Sequence, residues 1–145
     1  MIMNNKRYKI GYTTGVYDMF HIGHLNILRR SKELCDFLVV GVTTDELCYK
    51  RKHKYPIINE AERLEIIQSI RYVDQAIFQV NMDKVSAVKE LGADVVFVGS
   101  DWKNTPSWLN YEKELKKLSC DVVYLDHTDG ISSSILREKL NEEDY

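Results

Sequence analysis

Residues 8–34 read YKIGYTTGVYDMFHIGHLNILRRSKEL, and this stretch decides the fold. Its beginning, Tyr8 to Thr14, is a short run that predicts a β-strand. Its end, His24 to Leu34, carries apolar residues at the spacing of one helix face. Residues 15–24, which lead from the strand into the helix, contain two glycines and two histidines, a composition typical of neither element. The sequence therefore predicts a strand, an unusual connection and a helix, in this order, near the start of the chain.

The rest of the chain repeats this alternation of strand and helix. Strands are predicted at residues 37–43, 75–80, 95–98 and 122–125. Helices are predicted at residues 60–72, 84–91, 111–118 and 135–140, and the basic stretch 44–58 is predicted to be a loop. Such alternation gives a parallel sheet with right-handed crossovers. We expect one α/β domain over residues 1–145, a Rossmann-like, doubly wound sheet of five parallel strands.

Composition narrows the class of protein. The 145 residues include 20 Lys and Arg against 22 Asp and Glu, a formal charge of −2. This near-balance argues against a protein that mainly neutralises nucleic-acid phosphates. Three widely spaced cysteines favour free thiols in a reducing cytoplasm over a disulfide framework or a zinc site. No apolar run approaches the length of a membrane helix and no signal peptide is visible, so we expect a cytoplasmic protein without membrane contact.

The connection after the first strand carries the strongest chemical signal. In doubly wound sheets ligands bind beyond the carboxyl ends of the strands, here after Thr14, Thr43, Val98 and Leu125. His21 and His24 flank Gly23 where a helix begins, and helix N-termini attract anions. Imidazoles at this point can donate hydrogen bonds to phosphate oxygens. The alternative interpretation is that both histidines only cap and pack the helix.

The motifs resemble those of a known superfamily. A G-x-[FY]-D element at residues 15–18 followed by HxGH at residues 21–24 is similar to the nucleotidyltransferases. Further elements of the resemblance lie at residues 44–46, 62–63, 71–74, 99–102 and 130–133. Those at 71–74 and 130–132 narrow it to the cytidylyltransferase branch, most nearly the bacterial glycerol-3-phosphate cytidylyltransferases. The resemblance covers residues 15 to about 138.

The resemblance implies a reaction and its participants. CTP and an alcohol phosphate give a CDP-alcohol and pyrophosphate with Mg²⁺, by in-line attack on the α-phosphorus and without a covalent enzyme intermediate. The catalytic residues would be His21, His24 and Lys52, and the acceptor phosphate would meet Lys52 and Lys84. A homodimer is expected, with the region Arg71 to Asp74 near the subunit contact.

The resemblance also implies which residues bind CTP. They are Val16, Tyr17, Asp18, Ile22, Gly23, Lys54, Arg63, Asp101, His127, Thr128, Gly130, Ile131, Ser132 and Ser133. Val16 and Tyr17 would act through their backbone, and Asp18 would orient the motif. No residue is assigned to a metal. The family usually has Arg where this chain has His127, and His offers no bidentate fork for a phosphate.

Several alternatives stay open at this stage. Lys50 and Arg51 compete with Lys52 and Lys54 in so basic a segment. Arg63 lies two turns from Arg71 on one predicted helix face, and an ion pair of Arg63 with Glu60 or Glu62 is an alternative to a site role. Asp101 is either a ligand of the nucleotide or Mg²⁺ or a helix cap, and Trp102 is expected to be a packing anchor.

The acceptor and the nucleotide also have alternatives. Choline or ethanolamine phosphate would replace glycerol phosphate if aromatic faces surround a cationic group. The aromatic residues that would form such a cage are Tyr49, Tyr55, Trp102 and Trp108. An adenylyltransferase of the same superfamily and a non-catalytic nucleotide-binding paralogue are the remaining hypotheses.

Overall fold

The computed structural model describes residues 8–127 and 133–142. Its strands are β1 (Tyr8–Gly15), β2 (Cys35–Thr43), β3 (Gln75–Gln79), β4 (Val95–Gly99) and β5 (Asp121–Leu125). Its helices are α1 (Ile22–Glu33), α2 (Asp45–Lys52), α3 (Glu60–Gln68), α4 (Lys84–Leu91), α5 (Pro106–Lys116) and α6 (Ser133–Glu142). The strands form one parallel sheet in the order β3-β2-β1-β4-β5. The predicted Rossmann-like sheet of five parallel strands is confirmed.

Residues 45–52 form a helix where the sequence predicted a loop. Thr44 begins α2, and its hydroxyl accepts a hydrogen bond from the backbone N–H of Leu47 at 3.2 Å. Acidic residues occupy the first turn and basic residues the last, which suits the helix dipole. The prediction was wrong because only Leu47 and Cys48 of this helix are buried, which is too few for a visible apolar period.

Helix α3 ends at Gln68, four residues before its predicted end at Tyr72. The chain then turns so that the carboxylate of Asp74 accepts a hydrogen bond from the backbone N–H of Leu38 at 2.7 Å and pairs with Lys32 at 2.7 Å. These contacts fix residue 74 beside the start of β3. Arg71 therefore lies outside α3 and does not share a helix face with Arg63. The prediction from the sequence that both arginines lie on one helix face was wrong.

Both faces of the sheet are covered. One face packs Val40 and Val42 against Leu28 of α1 and Ile67 of α3, all of them buried. The opposite face packs a second cluster of buried residues, among them Val39, Val96, Trp108 and Leu115. Strand β2 is buried on both faces, as its continuous β-branched run predicts. In the described part of the chain, no helix is long and apolar enough to span a membrane.

The strand order determines where a ligand can enter. From β1 the chain first builds outward through β2 and β3, then returns to add β4 and β5 on the other side of β1. The order therefore reverses between β1 and β4. The connections that leave their carboxyl ends diverge there and open a crevice between them.

Candidate active site

A cavity of about 390 Å³ opens at the carboxyl ends of the strands. Its walls come from segments after all five strands, including His21, Lys52, Lys84, Asp101 and His127. Four of these segments are the positions that the sequence indicated. The fifth segment follows β3 and contributes Lys84 to the cavity wall. It was not among the four strand ends named from the sequence.

His21 and His24 cap helix α1 reciprocally. Nδ1 of His21 accepts a hydrogen bond from the backbone N–H of Gly23 at 3.1 Å, and Nδ1 of His24 accepts one from the backbone N–H of His21 at 3.2 Å. The two rings stack with centroids 3.9 Å apart. Because each Nδ1 is an acceptor, each neutral ring carries its proton on Nε2. The cap thus fixes both tautomers.

The two imidazoles remain neutral at physiological pH. Burial lowers the pKa of His24 to about 4, and the neighbouring His21 adds to this effect. Burial also lowers the pKa of His21. Nε2 of His21 is buried, and no described residue bonds to it. A neutral donor without a partner, in a ring that lines the cavity, favours a binding role in addition to the capping role.

The loop that precedes the histidines is held in an unusual conformation. Tyr17 and Met19 have φ angles of 56° and 49°, in the left-handed region that costs energy for residues other than glycine. The Tyr17 ring covers Gly15 so closely that a Cβ there would lie 2.9 Å from it. The buried carboxylate of Asp18 accepts hydrogen bonds from the backbone N–H groups of Ile57 and Ile58 at 2.8 and 2.9 Å. Asp18 thereby ties this loop to the end of the basic segment.

Arg63 lies behind the loop rather than on the cavity wall. Its side chain is 1% exposed. Its guanidinium donates to the carbonyl oxygens of Ile58, Val16 and Thr43 at 2.7–2.8 Å, and pairs with Asp45 at 2.5 Å. These contacts occupy the guanidinium, so the expectation that Arg63 holds CTP directly is corrected.

The alternative pairing of Arg63 within its own helix is also wrong. Glu60 instead accepts a hydrogen bond from the backbone N–H of Asp45 at 2.8 Å. The ion-pair partner of Arg63 is Asp45, eighteen residues away in sequence. A contact over this distance leaves no periodic trace in the sequence.

The structure separates the four cations of the basic segment. Lys52 and Lys54 line the cavity, whereas Lys50 pairs with Glu46 at 3.5 Å on the outer side of α2. Arg51 does not line the cavity, but its positive charge contributes to lowering the pKa of Lys84. The geometry thus agrees with the assignment of Lys52 and Lys54.

Lys84 lies inside the cavity wall, with 5% of its side chain exposed. Its Nζ donates to Oγ1 of Thr14 at 3.1 Å and lies 5.5 Å from the ring centroid of Trp108. Burial, with a contribution from Arg51, lowers the pKa of Lys84 to about 8. Thr14 was not among the predicted site residues, although a hydroxyl residue at the carboxyl end of a parallel strand is a usable signal.

Asp101 and His127 meet at the opposite rim. Asp101 Oδ1 lies 3.0 Å from His127 Nε2, and both side chains are about 60% exposed. Asp101 belongs to a short 3₁₀ turn after β4, Ser100–Trp102. The neighbouring Trp102 is 42% exposed, so it is not the packing anchor that we expected. Trp108, which is 6% exposed, has that role.

The remaining sequence expectations are placed as follows. Val16, Tyr17, Asp18 and Gly23 line the cavity, whereas Ile22 is half exposed and lies outside it. Tyr55, Trp102 and Trp108 line the cavity, but Tyr49 does not, so the four aromatic residues form no common cage. Thr128, Gly130, Ile131 and Ser132 lie outside the described residues. Ser133 begins α6, and its side chain is also outside the described part.

Comparison with known proteins identifies this architecture. The model of a protein family described as "Cytidylyltransferase-like" matches residues 12–139. The chain belongs to the cytidylyltransferase-like family. It is 35% identical over 133 residues to a glycerol-3-phosphate cytidylyltransferase of Staphylococcus aureus, covering 91% of this chain and 95% of the relative. It is also 32% identical to an FAD synthase of Thermococcus sibiricus, covering 94% and 96%.

Solved structures agree with this assignment. A lipopolysaccharide core biosynthesis protein from Thermoplasma volcanium superposes with a TM-score of 0.69 at 32% identity, covering 83% of this chain and 97% of that one. A pantoate-beta-alanine ligase from Francisella tularensis superposes with a TM-score of 0.61 at 12% identity, covering 91% and 66%. The latter likeness shows the fold alone. The chain is a nucleotidyltransferase with a Rossmann-like sheet, and its cytidylyltransferase-like motif lines the cavity.

Proposed function

We propose that this enzyme transfers CMP from CTP to a small alcohol phosphate of the glycerol 3-phosphate class. An oxygen of the acceptor phosphate attacks the α-phosphorus of CTP and forms a new P–O bond. The bond from the α-phosphorus to the bridging oxygen breaks on the opposite side, and pyrophosphate leaves with that electron pair. The products are a CDP-alcohol and pyrophosphate, and no side chain forms a covalent bond to the nucleotide.

The observation that carries this proposal is the fixed tautomer of both histidines. Each Nε2–H is a neutral donor whose orientation is set by the cap on the other ring nitrogen. Such donors stabilise charge that develops on phosphate oxygens without needing to reorganise during the reaction. His21 and His24 therefore stabilise the transition state by donating hydrogen bonds to its phosphate oxygens. Lys52, Lys54 and Lys84 all line the same cavity, which supports phosphate-binding roles for them. The resemblance assigns Lys52 and Lys84 to the acceptor phosphate and Lys54 to the triphosphate.

The chemistry of the donor set is consistent with Mg²⁺ that arrives with the triphosphate. Among the described residues, no three His, Cys, Asp or Glu side chains come together as a metal site. Mg²⁺ commonly uses one or two carboxylates, with phosphate oxygens and water completing its shell. Asp101, an exposed carboxylate on the cavity, is the side chain best placed to contribute. The ion would neutralise charge on the triphosphate and on the departing pyrophosphate.

The walls of the cavity bear on the nature of the acceptor. One face of Trp108 is approached by Lys84, which leaves less aromatic surface for a planar or quaternary ammonium acceptor. Glycerol phosphate needs only hydroxyl partners and phosphate donors, so it fits these walls better than choline phosphate does.

A second candidate function is adenylyl transfer from ATP to FMN. It is favoured by the FAD synthase relatives, which match this chain over a similar length and at similar identity to the cytidylyltransferases. The two functions differ in the base of the nucleotide and in the size of the acceptor.

One product panel distinguishes these functions. CTP and ATP are each incubated with Mg²⁺ and with glycerol phosphate, choline phosphate, ethanolamine phosphate or FMN, and the product is identified by mass. We expect CDP-glycerol and pyrophosphate, and loss of both in the His24→Ala variant. FAD from ATP and FMN would establish the second function instead. No pyrophosphate from any pair would contradict both and support a non-catalytic paralogue.

We further propose that the enzyme works as a homodimer that uses the surface around Arg71. The guanidinium of Arg71 is exposed and lies 5.2 Å from the ring centroid of Tyr72, whereas the Asp74 carboxylate is engaged by Lys32 and Leu38 of its own chain. Arg71, rather than Asp74, is thus available to a second subunit. Sedimentation of the unmodified chain and of Arg71→Glu tests this, and a monomer in both samples would contradict it.

A further inference from the structure

Two stacked tyrosine rings lie across the turn that follows α2. The ring centroids of Tyr49 and Tyr55 are 4.6 Å apart, and the ring planes are inclined by 19°. The two residues are 43% and 64% exposed, so the stack lies outside the hydrophobic core. Tyr49 precedes the cations at positions 50–52 and Tyr55 follows Lys54. The stack therefore closes the basic arm, residues 50–54, at its two ends.

The backbone inside this arm reverses direction at His53. This residue has φ 58° and ψ 28°, and its N–H donates to the carbonyl oxygen of Tyr49 at 2.7 Å. A residue other than glycine persists in this conformation only when its surroundings hold it there. The His53 ring meets the Tyr49 ring edge-on, with centroids 6.1 Å apart. The aromatic contacts thus span the turn that they stabilise.

The turn determines the direction of two lysines. Lys52 and Lys54 stand on either side of His53, and both line the cavity. Within the described residues neither ammonium group has a hydrogen bond or an ion pair, in contrast to Lys50 with Glu46. Four cations within five residues repel one another, so an unsupported arm would spread them into solvent. A contact that is not ionic has to keep these two lysines at the cavity.

We propose that the Tyr49–Tyr55 stack is a positioning element that holds Lys52 and Lys54 against the reacting phosphates. The inference rests on the proposed role of these lysines in nucleotidyl transfer. The rings contribute through contact between their faces, which is favourable for offset aromatic pairs. The phenolic hydroxyls are not needed for this contact. Tyr49 and Tyr55 act through the lysines and need not touch the substrate.

The first test replaces the ring and then restores it. Tyr55→Leu should lower kcat/KM about tenfold or more, because a small displacement of a catalytic group has a large effect on rate. Tyr55→Phe should recover most of this loss, since it keeps the stacked ring. Phe78→Leu is the matched control, because it removes an exposed aromatic ring from β3 and should leave kcat/KM unchanged. A Tyr55→Phe variant as impaired as Tyr55→Leu would overturn the proposal.

The second test asks whether Tyr55 acts through Lys52. If it does, Tyr55→Leu should cost less in a Lys52→Ala background than in the unmodified chain, because only Lys54 is left to be displaced and coupled residues are not additive. Full additivity of the two changes would overturn the proposal. Where Lys52→Ala leaves too little activity, the same cycle is run with Lys54→Ala and nucleotide affinity by calorimetry.

All variants are assayed with the nucleotide and acceptor that the unmodified chain uses in the product panel. A wrong substrate assignment therefore changes the panel and leaves the comparison of variants intact. A failure of the positioning role changes the comparison and leaves the panel intact.

Discussion

The guanidinium of Arg63 donates a hydrogen bond to the carbonyl oxygen of Val16, 2.8 Å away and 47 residues earlier in the chain. The same side chain binds Ile58, whose N–H donates to Asp18 two residues after Val16. Through Ile58, Arg63 and Asp18 therefore connect the loop before the histidines to the end of the basic segment. These contacts fix the position of the loop that carries the two histidines relative to the segment that carries Lys52 and Lys54.

Replacing Arg63 should affect stability before it affects binding. Arg63→Met leaves the carbonyls of Val16 and Thr43 without their donor and Asp45 without its ion pair. Breaking a buried charged network of this kind costs roughly 3–5 kcal/mol of unfolding free energy. Denaturant unfolding measures this, with Arg51→Met as a control at an exposed arginine. A loss of nucleotide affinity at unchanged stability would show instead that Arg63 is a direct phosphate ligand.

The pKa of His24 predicts how stability depends on pH. This pKa falls from 6.5 in the unfolded chain to about 4 in the folded one. Between these values the unfolded chain binds a proton that the folded chain does not, so the free energy of unfolding decreases as the pH falls through this window. Denaturant unfolding at pH 7.5, 6 and 5 should show the decline. His24→Asn should flatten it, and His53→Asn, at an exposed histidine, should not; equal slopes in all three proteins would refute the assignment.

Lys84 predicts a loss of activity at alkaline pH. Its pKa of about 8 means that it carries its charge at pH 7 and loses it above pH 8. If the charged form binds the acceptor phosphate, kcat/KM should fall roughly tenfold between pH 7 and pH 9, because kcat/KM reports groups of the free enzyme. Lys84→Gln should abolish most of this dependence at a lower overall rate. Lys89→Gln, on the exposed face of the same helix, should retain the profile of the unmodified enzyme.

His127→Arg tests the departure from the cytidylyltransferase pattern. Arginine keeps its charge at every working pH and offers two parallel donors to a phosphate, so KM for CTP should fall several-fold in the variant. KM is measured at pH 6, 7 and 8, because arginine stays charged over this whole range. The exposed His127–Asp101 pair adds little to stability, so the unfolding midpoint should stay unchanged. Identical KM values in both proteins across this range would remove His127 from the site.

The strands, their parallel arrangement and the connection after β1 that lines the cavity were accessible from the sequence. Apolar period and length report burial on one or both faces, and the HxGH segment is local, so neither depends on distant contacts. The prediction failed at α2, where two buried residues give no period, and at the end of α3, where Asp74 bonds to Leu38 across 36 residues. Local signals do not encode such contacts.

The sequence by itself determined the fold class and the residue types of the site: two histidines at a helix start, a basic segment after β2 and a histidine in place of arginine at position 127. Only the tertiary structure decided what each residue does there. It placed Arg63 behind the loop instead of on the cavity wall, separated Lys52 and Lys54 from the competing Lys50 and Arg51, and paired Lys84 with Thr14. The reason is physical, because the direction of a side chain and its burial depend on neighbours that only chain folding brings together.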